Sequence, residues 1–146
     1  MKKLLKVLII SLILLSLSGC AGVQDYNITL PNDYSVVRGS AHMITINKQR
    51  PEGGWGEDLI PAKVVEVTWD DKYILAKQLS LQCQDSDNPD NSYHIPDETK
   101  VNYWILEMET GKKFGPFNEK KFTKKKKELN KKNVILKSVD DYEKNY

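Results

Sequence analysis

Two β-branched, aromatic runs, residues 62–69 and 72–79, are joined only by Asp70-Asp71, and this constrains the fold more than any other feature. Such runs around a two-residue polar connection predict an antiparallel hairpin. The connection lacks the glycine that tight hairpins favour, which leaves its turn type open. By period two, Val65, Val67 and Trp69 share a face expected to point into the core, opposite Val64, Glu66 and Thr68.

The flanking sequence extends this β character. Residues 25–30 alternate, with Tyr26, Ile28 and Leu30 on one face, before the turn cluster Pro31-Asn32-Asp33. Residues 34–37 and 41–47 read as strands separated by Arg38-Gly39-Ser40. His42 falls on the face of Ile44 and Ile46, where a structural, hydrogen-bonded role is expected. Residues 101–108 read as a further strand, followed by a turn at 109–112 and then Lys113-Phe114-Gly115-Pro116. Asn118 is a good helix cap, Phe117 and Phe122 match a hydrophobic staple, and Glu119 suits the positive end of a helix dipole. A helix is therefore expected over residues 119–131, with Asn133 near its stop and a last strand at 134–139. The expected fold is one α+β domain over residues 25–146: a mainly antiparallel sheet of about five to seven strands with one C-terminal helix packed against it.

The first 24 residues have another character. Lys2, Lys3 and Lys6 precede an apolar run over 7–17, which is shorter than the roughly 20 residues a membrane span needs. A charged start, a short apolar stretch and small residues at the end make a secretory signal. The run closes on Leu17-Ser18-Gly19-Cys20, which resembles the lipobox of bacterial lipoproteins. That resemblance implies cleavage between Gly19 and Cys20, removal of residues 1–19 and a diacylglyceryl thioether on Cys20. The alternative is an ordinary signal peptide containing a cysteine. Two acyl chains suffice for stable attachment. Residues 21–24, at about 3.5 Å each, then hold the domain within some 14 Å of the anchor. The expected address is the outer face of the cell membrane.

Lipidation of Cys20 leaves Cys83 as the only other cysteine, so no internal disulfide can form. The thiol is expected to be a small buried hydrophobe. Charge is unevenly distributed: residues 20–111 carry 7 basic and 15 acidic side chains, a net −8, whereas residues 112–132 carry ten lysines and two glutamates, a net +8. On a helical projection Phe122 and Leu129 form a narrow apolar stripe. Lys120, Lys124, Lys127 and Lys131 lie opposite it, while Lys125 and Lys126 flank it. A solvated face is one reading; contact with anionic lipid or wall polymer is the other, to which each lysine near an anionic membrane would add about 1 kcal/mol. Nucleic acid is disfavoured for an exported lipoprotein, and the lysine face opposite Phe122 and Leu129 carries no aromatic-interleaved stripe.

Residues 48–61, rich in glycine and proline around Trp55, read as a long loop whose aromatic is either a binding element or a plug. No Gly-Lys-Ser/Thr follows the glycines, so no phosphate cradle is indicated. The acidic run 85–91 superficially resembles a calcium loop, but Pro89 sits at a ligand position and the closing glutamate is missing. A solvated loop fits better, and neither metal nor cofactor is expected. Cys83, His94 and Asp97 are close enough in sequence to suggest a nucleophilic set, which only geometry can establish.

The lipobox, Asp25-Tyr26-Asn27-Ile28-Thr29-Leu30, Tyr73-Ile74-Leu75-Ala76, Tyr103-Trp104-Ile105-Leu106 and Phe114-Gly115-Pro116-Phe117 together resemble small uncharacterised lipoproteins of Bacillus-like Gram-positive bacteria, a domain of unknown function. The resemblance implies an address and no activity. The sequence points first to a non-enzymatic binding or accessory module, engaging an envelope protein by a sheet edge or by Trp55. An envelope structural or stress protein whose lysine-rich helix meets an anionic surface comes second, and a small hydrolase using His42, His94 or Cys83 comes last.

Overall fold

A computed structural model describes residues 25–84 and 93–146. The expected leader, the expected cleavage point between Gly19 and Cys20, the expected tether to residue 24 and the acidic run 85–91 lie outside the described residues. The described chain forms two antiparallel sheets rather than one. The first contains β1 (Tyr26–Thr29), β2 (Tyr34–Arg38), β3 (Ile44–Gln49) and β4 (Trp55–Ile60), in that spatial order. The second contains β5 (Val64–Trp69), β6 (Tyr73–Cys83), β7 (His94–Glu107), β8 (Lys113–Phe117) and β9 (Lys137–Ser138), in the order β8-β7-β6-β5-β9. Helix α1 (Glu119–Glu128) covers the outer face of the second sheet. The α+β class holds, while the number of sheets differs from expectation. Period two assigns faces to strands, but it does not say which strands pair.

One hydrophobic cluster fills the space between the sheets. Val36, Ile46 and Ile60 from the first sheet meet Val64, Val67, Ile74 and Leu106 from the second, all at 0% exposure. The opposite face of the second sheet carries Tyr73, Leu75 and Ile105, on which Phe122 of the helix sits. The central sheet is therefore buried on both faces, and its strands carry apolar side chains at successive positions.

The expected hairpin is present, with one change of register. Val64 pairs with Gln78 and Glu66 with Lys77, so Val65 is an extra residue on its strand. This bulge turns Val64 inward beside Val67 and leaves Val65 half-buried, reversing their expected roles. The missing turn glycine is replaced by a side chain: Asp70 Oδ1 accepts hydrogen bonds from the backbone N–H groups of Lys72 and Tyr73, both at 2.8 Å. An aspartate bonded in this way mimics a backbone turn.

Three further expectations are corrected. Residues 48–61 are not one loop: Arg50 to Gly54 make a tight turn, with Gly53 and Gly54 at positive φ, and Trp55 begins β4. Pairing of β3 with β4 is irregular, and the Asn47 amide reinforces it by donating to the Gly56 carbonyl and to Asp58. The hairpin of β6 and β7 continues to the pair Cys83 and His94, into residues expected to lie outside strands. Glu98, Thr99 and Lys100 bulge out of it where Asp97 accepts from the Thr99 backbone and hydroxyl. Of residues 134–139, only Lys137–Ser138 is strand; Val139–Asp141 is a 3-10 turn capped by Ser138.

The helix starts as expected, with Asn118 Oδ1 accepting from Lys121 N at 2.9 Å, but it stops earlier. Asn130, at φ 57, takes the left-handed position. Asn130 N then donates to the Lys127 carbonyl and Lys131 N to the Lys126 carbonyl. This is the paired capping of a Schellman stop, made by asparagine in place of glycine.

Candidate functional site

The strand registers give the molecule two distinct ends. One holds the start of β1, where Tyr26 pairs with Arg38, together with the loop before β3 and the last pair of the β6–β7 ladder, Cys83 and His94. His42 and Tyr93, with ring centroids 5.4 Å apart, join these parts. The other end holds the turns β1–β2, β3–β4, β5–β6 and β7–β8. There Tyr34 donates from its hydroxyl to the Met108 carbonyl at 3.2 Å, tying the first sheet to the second. Burial raises the Tyr34 phenol above its ordinary 10.0, which keeps it a donor. Between the ends, β6 alone is eleven residues, roughly 33 Å at 3.3 Å per residue.

The turn end contains a groove of about 920 Å3 between the first sheet and the β7–β8 turn, within the size range of small-ligand and peptide sites. Tyr34 and Leu59 supply apolar surface, Lys48 and Arg50 positive charge, and Asp33, Glu57 and Glu109 negative charge. Lys48 Nζ lies 5.0 Å from the Tyr34 ring centroid, held over its face. Trp55 is half-buried at the start of β4 rather than at the tip of a loop, and the groove is lined by its neighbours in the hairpin, Gly53, Gly56 and Glu57 among them, not by the indole. Because β4 ends the first sheet, its outer backbone edge has no strand partner among the described residues. The sequence reading missed the groove because it is assembled from turns distant in sequence.

The lysine face is only partly as expected. Lys120, Lys124 and Lys127 are exposed and border a shallow depression with Glu119 and Thr123. Lys131 is not part of that face, because the helix has already stopped; its ammonium pairs with Asp70 at 2.6 Å. Lys126 donates to the Val134 carbonyl, and Lys125 pairs with Glu128, so both flank the apolar stripe as expected. Partial burial alone would raise the Asp70 carboxyl, but the Lys131 ammonium and the Tyr73 and Lys72 backbone N–H groups outweigh it and hold the group below 3.8.

A depressed folded pKa contributes stability above the unfolded value and loses it as pH falls through the folded one. Asp70→Asn keeps the turn acceptor but removes the charge. It is expected to lower the melting temperature near neutral pH, by an amount corresponding to about 1 kcal/mol for a half-buried pair that water still reaches. The difference from wild type should close once the pH is well below 3.8. Melting curves at the two pH values check this.

The remaining candidates come together incompletely. Cys83 Sγ lies 3.5 Å from His94 Nε2, and the thiol is half-exposed rather than buried. Asp97 does not join them: Thr99 and Lys100 hold its carboxylate. His42 precedes β3 rather than lying within it, and its Nδ1 has no hydrogen-bond partner among the described residues, against the structural bond expected. No group of three or more His, Cys, Asp or Glu with metal-binding geometry occurs among the described residues. No helix among them is long and apolar enough to cross a membrane.

No curated protein and no solved structure matches the chain. One family model, described as protein of unknown function (DUF3997), matches residues 31–140, from the turn before β2 to the 3-10 turn after β9. The match spans both sheets, the groove-lining turns and the helix, and the chain belongs to the DUF3997 family.

Proposed function

We propose that the chain is a lipid-anchored, non-enzymatic binding module at the outer face of the cytoplasmic membrane, one of the small lipoproteins of Bacillus-like Gram-positive bacteria that it resembles. One observation carries the reading. The mixed-charge groove, and the Trp55 end of the open β4 edge, lie at the end of the sandwich away from Asp25, where a tether from Cys20 would enter. A diacylglyceryl group on Cys20 would hold the Tyr26 end near the bilayer and present the groove to the envelope. An extended segment of an envelope protein suits it, adding to the β4 edge through backbone hydrogen bonds while Arg50 and Glu57 read its charges. The Cys83–His94 pair does not favour catalysis, because the carboxylate that would orient the imidazole is engaged elsewhere.

The test is capture from envelope extracts by the mature lipidated chain, compared with the double charge reversal Arg50→Glu/Glu57→Arg. Both positions are exposed, so the fold should persist. A captured protein that is lost with the double variant is expected; capture indifferent to it would contradict the reading.

A second reading rests on Lys120, Lys124 and Lys127, which form no ion pair among the described residues. They lie on the flank of the molecule, so an anionic wall polymer running beside it fits better than lipid headgroups beneath it. Salt-sensitive binding of such a polymer that is lost in the triple Lys→Gln variant would support this reading; binding unaffected by salt would remove it.

A further inference from the structure

We propose that the end of the sandwich nearest the tether is a bilayer-docking face formed by Met43, Tyr93 and Tyr146. Among the described residues, four large hydrophobic side chains are exposed: Met43 at 44%, Tyr93 at 57%, Tyr146 at 79% and Ile135 at 75%. Three of the four gather at this one end, from three separate parts of the chain. Met43 immediately precedes β3, whose first residue pairs with Arg38. Tyr93 immediately precedes β7 and lies against His42. Tyr146 follows Asn145, which bridges to Asn27, and its ring stands edge-on to Tyr26 at 6.4 Å. Arg38 and Lys144, each within about 5.5 Å of the Tyr26 ring centroid, border the patch with positive charge.

The occupant follows from where the chain enters. β1 begins at Tyr26 in this same end, and only residues 21–24 separate Asp25 from Cys20. Four extended residues reach about 14 Å, so an acyl group on Cys20 keeps this end, and no other, within contact of the lipid. Tyrosine suits the place: its ring enters the apolar side of a membrane interface while its hydroxyl stays hydrated. Apolar contact rather than net charge drives the docking, since the three exposed side chains that form the face are uncharged. A neutral, zwitterionic surface is therefore sufficient. The face extends the proposed function, since it rests on attachment at Cys20 and fixes the groove pointing away from the bilayer.

The test bypasses cellular lipidation. The chain from Cys20 onward, carrying Cys83→Ser, is coupled through the Cys20 thiol to a maleimide lipid in phosphatidylcholine vesicles. A fluorescent amino acid is placed at position 43 or, separately, at position 110 on the groove rim. Lipids brominated near the headgroup should quench position 43 at least threefold more than position 110, and Tyr93→Ser/Tyr146→Ser should reduce that difference. Equal quenching at both positions would overturn the docking face. So would protection of position 43 that appears only at high surface density, because it would assign the patch to a second copy of the chain. Failure of the anchor itself would show separately, as a native chain lacking lipid on Cys20.

Discussion

Leu106→Ala is expected to cost about 3–4 kcal/mol. Leu106 is fully buried, pairs with Ile74 on the central strands and faces the first sheet. No disulfide can compensate, since Cys83 is the only cysteine of the described domain and is free. A domain of this size has about 5–15 kcal/mol in total, so truncation at the junction of the two sheets removes a large part of it. Urea unfolding should show a much lower midpoint with an unchanged slope, because both sheets lose the same core and unfold together. Separate transitions for the two sheets would contradict a shared core.

Phe122→Ala should lose a similar amount, about 3 kcal/mol, but locally. Phe122 is the only buried residue of the ten in the helix and stacks on Tyr103, with centroids 4.7 Å apart. A ten-residue helix is marginal in water on its own, and Lys124 to Lys127 repel one another along it. Without Phe122 the helix should detach while the sandwich persists. Hydrogen exchange should then accelerate at the α1 amides and at the capping Leu129 N, and remain slow at those of β3 and β6. Exchange that accelerates equally throughout would show that the helix is integral to the core.

These two variants separate what the sequence states from what only the three-dimensional chain reveals. The helix was legible because its signals are local: the Asn118 cap, the Phe117 and Phe122 positions and the flanking lysines lie within a few turns of one another. Its stop was misplaced by a few residues because an asparagine can take the left-handed position at either Asn130 or Asn133, and tertiary contact decides which. The Lys131–Asp70 pair fixes the chain just beyond Asn130. β4 was hidden for a related reason. Gly56 is accommodated because a Cβ there would come within 3.0 Å of the Lys48 carbonyl, so close approach of two strands appears in the sequence as loop composition. Val64 and Val65 exchanged faces through a one-residue bulge that alternation cannot register.

The candidate sites divide along the same line. Lys120, Lys124 and Lys127 were visible because a single helix presents them. The groove and the cluster of Met43, Tyr93 and Tyr146 were not, because each is built from turns or termini that meet only when the two sheets pair. Cys83 and His94 do meet, at the end of a hairpin longer than its strand propensity suggested.

The orientation proposed for the two ends depends on attachment at Cys20. The most direct measurement is the intact mass of the protein extracted from membranes of the cell that makes it. A polypeptide beginning at Cys20 and carrying a diacylglyceryl group is expected, with Cys20→Ala remaining an unlipidated precursor. A native chain that begins at any other residue, or begins at Cys20 without lipid, would contradict attachment at this end of the sandwich.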